Sequence, residues 1–509
     1  MSGIKSLRLL VLAGTVSAGV YAADKPNVVV IFADDLGPGD INVYHGERTG
    51  QASPIPTPNM DKLTETGMRF DDARAPNSLC APSRFSMLTG NYSWRDYQPF
   101  GCWTPFARTG IDGKFTTSAR IAKAGGYATA FFGKWGCGGR LKTTDGQTAN
   151  RNNRAQADWR QIYEAANHHG FDYAYELPSG IQGTPLVYYE NGRWDKLNPD
   201  SKLVSVGPKQ NGYAVSRKLR DKSFMGDSNW DPTIAGPRLA AKAVAYVRKQ
   251  AKEKPNQPFF IYYCSQAVHI PHTPTEELDG VKIAGTTPGV HGDMVKELDT
   301  QVGLIIKALK ETERWQNTLF ILTSDNGGLR PDKKAGEAGH DPSHGLRGSK
   351  GAIYEGGDRV PFIAVWPGKI KPGTISREPV VAHDIVATLA HLAGQPVDRT
   401  KVKDSLNLIP LLTGKEPVER HKVLMHQSQN GPRYAIRKGD LKLIMKAQSK
   451  KNLKGLKPLE LFNLKENPTE DPEQNLLNSP KYKDTVAELL ETYLTYRKTG
   501  ESTVEARAK

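Results

Sequence analysis

Asn27-Val28-Val29-Val30-Ile31-Phe32-Ala33, running directly into Asp34-Asp35, is the stretch that decides the fold. Its apolarity is continuous rather than alternating, as in a strand covered on both faces. Four further runs share that texture: 128–132 (ATAFF), 258–263 (PFFIYY), 318–322 (TLFIL) and 361–365 (PFIAV). Helical patterns separate them. In the clearest, Met294, Val295, Leu298, Val302, Ile305, Ile306 and Leu309 fall on one stripe, and others cover 234–252 and 383–393. This alternation predicts an α/β fold, a large and mostly parallel sheet sandwiched by helices. Beyond about Leu412 the texture changes. Short strand patterns at 423–426, 434–437 and 441–445, joined by turns such as Lys438-Gly439-Asp440, precede a helical pattern at 485–496. They predict a smaller antiparallel sheet with one packed helix. Lys446, Lys450, Lys451, Lys454 and Lys457 read as a solvated loop between them.

Composition narrows the possibilities. The 509 residues have room for about three domains at roughly 150 residues each, although large α/β units run longer. With 38% hydrophobic and 24% charged residues, the chain is not a multi-spanning membrane protein, and 8 Trp, 19 Tyr and 15 Phe argue against wholesale disorder. A surplus of 69 Lys and Arg over 54 Asp and Glu gives +15. Such a charge suits a polyanionic partner without choosing among nucleic acid, anionic lipid and a sulfated or phosphorylated substrate. Lys5 and Arg8 precede a short apolar run, and Val20-Tyr21-Ala22 offers small residues where a signal peptidase reads. Residues 1–22 therefore read as an export signal without membrane insertion, and the product as periplasmic or secreted. Loss of Lys5 and Arg8 takes the net charge from +15 to +13. The chain divides into 1–22, a main unit over 23–412, and a smaller α+β unit over 413–509. Only Cys80, Cys102, Cys137 and Cys264 are present, too few for a disulfide scaffold. If Cys80 is set aside for chemistry, at most one bridge can form among the other three.

The polar residues trailing the apolar runs carry the chemistry. Asp34-Asp35 trails the first, Lys134 the second, His269 the third and Asp325-Asn326 the fourth. Ligands of open α/β sheets bind beyond the carboxyl ends of the strands, so four separate segments deliver these groups to one edge. Asp34, Asp35, Asp325 and Asn326 offer only hard oxygen ligands, which suit Ca²⁺ or, less well, Mg²⁺ rather than zinc. Cys80-Ala81-Pro82-Ser83-Arg84 fits the opening of a helix, with Cys80 at its positive end. There the thiol is a candidate nucleophile beside a guanidinium suited to a tetrahedral oxyanion.

These residues resemble the formylglycine-dependent sulfatases. Cys80-Ala81-Pro82-Ser83-Arg84 with Leu88-Thr89-Gly90 is similar to that family's modification signal. Phe32-Ala33-Asp34-Asp35-Leu36-Gly37, Gly133-Lys134-Trp135, His269-Ile270-Pro271-His272, Ser324-Asp325-Asn326-Gly327-Gly328 and the stretch from Lys350 to Gly357 occur in family order. The resemblance implies an alkaline-phosphatase-like fold, with 23–412 as the catalytic unit. It implies that a formylglycine-generating maturation enzyme oxidises Cys80 to 3-oxoalanine, whose hydrate attacks sulfur with one hydroxyl and expels sulfate with the other. It further implies that Asp34, Asp35, Asp325 and Asn326, with the modified Cys80, hold Ca²⁺. Arg84 would orient the modified residue, Lys134 and Lys350 would contact sulfate, His269 would protonate the leaving alcohol, and His272 and His344 would line the substrate side.

Two departures stand out. Gly136 occupies the place where the family usually carries a histidine, and His340 or His344, from the loop before Lys350, is a candidate replacement. Asn91 stands where the extended signal often has Arg, yet the core signal is intact, so Cys80 is still expected to be modified. Export and basic charge favour an O-sulfated carbohydrate as substrate. The alternatives are a phosphodiester or phosphonate monoester hydrolase of the same superfamily, and a non-catalytic sulfated-glycan-binding relative. Nucleic acid is not expected, because strand-end acids repel phosphate.

Overall fold

The computed structural model describes residues 25–505, apart from 96–99, 102, 107–108, 112–113, 151, 208–222, 416–419 and 451. The expected export signal, Cys102 and Lys451 lie outside the described residues. Cys80, Cys137 and Cys264 are all buried, and no disulfide joins them.

Ten strands form the main sheet: β1 (Asn27–Ala33), β2 (Met68–Phe70), β3 (Ala128–Lys134), β4 (Tyr173–Leu177), β5 (Tyr188–Glu190), β6 (Arg193–Asp195), β7 (Phe259–Cys264), β8 (Thr318–Ser324), β9 (Ile363–Val365) and β10 (Thr374–Ser376). Their order is β10-β2-β9-β8-β1-β7-β3-β4-β5-β6. The five central strands, β8 to β4, are parallel. β9, expected from its unbroken apolarity, instead runs antiparallel to β8. Continuous apolarity reports that both faces are covered, not the direction of the strand.

Cover comes from helices α1 (Pro58–Thr66), α2 (Cys80–Thr89), α3 (Ser118–Ala124), α4 (Ala235–Glu253), α5 (Val290–Glu311) and α6 (Ile385–Ala393). Val29 and Ile31 of β1 pack on one face with Leu239 and Val247 of α4 and Leu298 and Val302 of α5. Val28, Val30 and Phe32 point the other way, toward Phe85 and Leu88 of α2, Ala119 of α3 and Leu389 of α6. Successive strand residues face opposite layers, so a strand between two helical layers must be apolar throughout. Four antiparallel strands, β11 (Leu424–Gln427), β12 (Arg433–Lys438), β13 (Leu441–Lys446) and β14 (Lys457–Asn463), make the second sheet, against which α7 (Lys483–Thr499) packs.

One core group marks a cost. Glu176, near the end of β4, is fully buried; its Oε2 accepts from the Ala166 amide at 3.0 Å, while Oε1 has no partner. Burial pushes its carboxyl up to about 7, with the Ala166 amide opposing. A carboxyl raised above its unfolded value binds its proton more tightly when folded, so stability falls as pH rises through that interval. Glu176→Gln is expected to melt close to wild type at pH 5 and above it at pH 8. Identical melting temperatures at pH 8 would show that the carboxyl is not strained.

Candidate active site

The parallel strands do bring their trailing residues to one edge. Asp34 and Asp35 leave β1, and Asp325 and Asn326 leave its neighbour β8. The Asp35 amide donates to Asp325 Oδ1 at 3.0 Å, and Asn326 Nδ2 donates to Asp35 Oδ1 at 2.8 Å. All four side chains are buried. Asp35 sits in the left-handed region (φ 71°), a conformation that aspartate tolerates better than most residues but that still costs free energy. Gly37 lets the chain turn away under the next loop, since a Cβ there would lie 2.1 Å from the Pro342 carbonyl oxygen.

Cations surround the acids. Lys134, the last residue of β3, sets its Nζ 2.7 Å from Asp34 Oδ2, and Lys350 sets its Nζ 2.6 Å from Asp35 Oδ1. Arg84 donates to Asp325 Oδ2 at 2.8 Å and to the Lys134 carbonyl at 2.9 Å. It lies one helical turn beyond Cys80, so both face the same way from α2. Cys80 opens that helix, 4% exposed, and its Sγ lies within 4.8 Å of carboxylate oxygens of Asp34 and Asp325. His269, beyond β7, sets Nε2 3.8 Å from Asp35 Oδ2. Burial, then Lys350, lowers its pKa to about 4.

The donor set fits a hard divalent cation. Asn326 Oδ1 is buried with no hydrogen-bond partner, an acceptor lacking a donor. Burial opposes charge on Asp34 and Asp35, but Lys134, His269 and Arg84 hold the first below the ordinary carboxylate range, and Lys350 and His269 the second. Asp325 goes the other way, well above it, through burial and then the Asp34 charge beside it. Three close carboxylates are hard to ionise together without a cation between them.

Other expected residues fall elsewhere. His272 is buried behind His269, its Nε2 3.1 Å from the Val268 carbonyl. His340, a candidate replacement for the histidine missing at Gly136, is instead committed to Asp40 at 2.7 Å. His344, the other candidate and an expected substrate residue, lies edge-on to Tyr44, with ring centroids 6.1 Å apart, and no hydrogen bond or ion pair among the described residues ties it to the acids. The reason lies at Gly136. Its φ is +67° and a Cβ there would meet Arg84 Cδ at 2.8 Å, so Arg84 fills the space a side chain would need. Asn91 has a structural role, bonding the carbonyls of Thr89 and Lys401.

Sequence reading missed the contribution of the second sheet. The loop after β11 places the amides of Gln429 and Asn430 on the Gly351 carbonyl, both at 3.0 Å, and Gln429 Nε2 on Asn77 Oδ1 at 3.0 Å. It thereby buttresses Lys350 and the segment leading into Cys80. Only the neighbouring Lys350–Gly357 motif hinted that this region mattered.

The chain is similar to known proteins over most of its length. The family model described as "Sulfatase" matches residues 26–395, and one described as "N-sulphoglucosamine sulphohydrolase, C-terminal" matches 344–499. An N-acetylgalactosamine-6-O-sulfatase of Bacteroides thetaiotaomicron is 31% identical over 83% of this chain and 83% of its own length. Human arylsulfatase A is 33% identical over 81% of this chain and 72% of its own length. A solved chain from work on glycosaminoglycan metabolism by B. thetaiotaomicron, 28% identical, superposes with a TM-score of 0.77 over 94% of this chain and 100% of that one.

Proposed function

The chain belongs to the sulfatase family and is a sulfuric ester hydrolase, and from that premise we propose that it removes O-sulfate from a sulfated carbohydrate, most specifically a 6-sulfated N-acetylhexosamine, after export to the periplasm or medium. The observation that carries the reading is the buried cluster of three carboxylates, three cations and one orphaned amide oxygen around Cys80. The relative named for N-acetylgalactosamine 6-sulfate supports the substrate class. Among the described residues no helix is long and apolar enough to cross a membrane.

Asp34, Asp35, Asp325 and Asn326 would hold Ca²⁺, which supplies positive charge beside the reacting oxygens. Oxidation of Cys80 by a maturation enzyme would supply the formylglycine nucleophile. Arg84 fixes that position by bridging Asp325 and the Lys134 backbone. Burial opposes the charge of Lys134 and Lys350, but Asp34 and Asp35 respectively outweigh it, so both lysines stay protonated and can receive sulfate oxygens. His269 would give a proton to the departing sugar oxygen, and an anionic sulfate beside it would favour the imidazolium this requires.

The test is a panel of defined sulfated oligosaccharides, aryl sulfate, and matched phosphate and phosphonate esters, given to protein co-expressed with a formylglycine-generating enzyme. Sulfate release from a 6-sulfated N-acetylhexosamine is expected. Turnover of the aryl ester or the phosphorus esters with no sugar sulfate cleaved would overturn the substrate assignment. His269→Ala is expected to lower kcat/KM on the sugar sulfate by ~10²–10⁴-fold, and far less on p-nitrophenyl sulfate, whose leaving group needs no proton. Equal losses on both substrates would assign His269 to binding instead.

A further inference from the structure

Behind the acidic cluster lies a group that the proposed mechanism does not use. Asp40, in the turn after β1, His291, in the first turn of α5, and His340, before Lys350, are brought together from three segments. Each imidazole sets Nε2 2.7 Å from the same oxygen, Asp40 Oδ1, and all three side chains are fully buried. The other carboxylate oxygen, Oδ2, accepts the Gly37 amide at 2.8 Å. We propose that Asp40, His291 and His340 form a second metal site that takes a divalent transition ion, zinc foremost.

Charge is the first argument. Among the described residues Asp40 pairs with no lysine or arginine, only with these two imidazoles. Burial opposes its ionisation, yet His291 and His340 hold it well below the ordinary carboxylate range. A buried carboxylate needs a compensating positive charge, and a cation among the three provides one.

Donor chemistry is the second. Two nitrogens and one carboxylate oxygen suit zinc, while the oxygen-only set at Asp34, Asp35, Asp325 and Asn326 suits calcium, so the two sites select different ions. Both Nδ1 atoms are buried without a hydrogen-bond partner. Binding an ion through Nε2 moves each ring hydrogen to Nδ1, where no acceptor stands among the described residues, so the ion must offset that loss. With zinc ligand bonds of about 2.0–2.1 Å, tetrahedral neighbours sit ~3.3 Å apart. The two contacts need to open by ~0.6 Å, leaving the fourth position to water.

Pre-organisation is the third. Asp332 Oδ2 accepts the His291 amide at 2.9 Å, and Asp332 Oδ1 accepts the amides of Lys334 and Ala335. The Ala335 carbonyl in turn accepts the His340 amide at 3.1 Å. One capping residue thus sets both ligand backbones. The Gly39 amide bonds the Pro342 carbonyl at 3.1 Å, so an ion here would fasten the 340 loop to the turn that leads out of Asp34-Asp35.

Full-length, calcium-loaded protein equilibrated with micromolar zinc and then dialysed is expected to retain about one zinc per chain, as a closed site does. His340→Gln, which still offers Asp40 a hydrogen bond, is expected to retain none while its calcium content is unchanged. Zinc is expected to raise the melting temperature of wild type and not of the variant. Zinc uptake no greater in wild type than in His340→Gln would overturn the site. Should the variant fail to fold, zinc-edge anomalous diffraction from wild-type crystals decides: a peak among the three ligand atoms supports the site and its absence refutes it.

Discussion

Cys80→Ala, produced alongside the maturation enzyme, is expected to release sulfate on the order of 10⁴-fold more slowly than wild type, or slower still. Alanine is a good helix former, and the change deletes one buried sulfur from the opening of α2, so the fold should survive. Arg84, Lys134, Lys350 and the four proposed oxygen ligands remain in place, so binding of a sulfated sugar should change little. Loss confined to kcat, with binding retained, is the signature of a missing nucleophile. A Cys80→Ala protein within tenfold of wild type would end the covalent reading, and with it the role given to Arg84.

The second large effect is structural. Glu355 is fully buried and joins the two sheets: its carboxylate receives Arg74 Nη1 at 2.7 Å, Lys442 Nζ at 2.8 Å and Arg359 Nε at 3.0 Å. Arg74 and Lys442 are themselves fully buried, and Lys442 comes from β13 of the second sheet. Glu355→Ala removes a counter-ion the two share, leaving Arg74 to Asp72 and Asp358 and Lys442 to Glu470, and removing one partner of such a buried group costs up to about 3–5 kcal/mol. We expect a sharp fall in soluble yield and an early unfolding transition, with Glu355→Gln intermediate because its amide oxygen still accepts on one side while its amide nitrogen faces donors on the other. A Glu355→Ala protein melting with wild type would mean that the two sheets hold together without this network.

Local pattern exposed the parallel core well, because strands such as β1 and β8 are apolar on both faces and their ends carry unusual residues. The short strands were harder. β2 (Met68–Phe70) and β10 (Thr374–Ser376) have three residues each, too few to show a period, and are strands only because the sheet edge pairs them. β14 (Lys457–Asn463) mixes Lys, Pro and Glu with its apolar residues and is only partly buried. At the site, the residue types and their strand-end positions were readable, but partner choice was not. Glu355 meets Arg74 across 281 residues and Lys442 across 87, and His340 meets Asp40 across 300. No sequence window spans such separations. For His340 the sequence offered only proximity along the chain to Lys350, and that pointed to the wrong neighbour.

Burial of Cys80 also sets an order of events for the proposed modification. With 4% of its surface open and α2 packed against the sheet, an oxidising enzyme has no access to this side chain once the chain has collapsed. On the proposed reading, maturation would have to act on the nascent or still-extended polypeptide, with folding as its deadline. If Cys80 is the residue modified, protein made without that activity is expected to fold yet stay inert, and adding a maturation enzyme afterwards is expected to rescue it only through a cycle of denaturation and refolding.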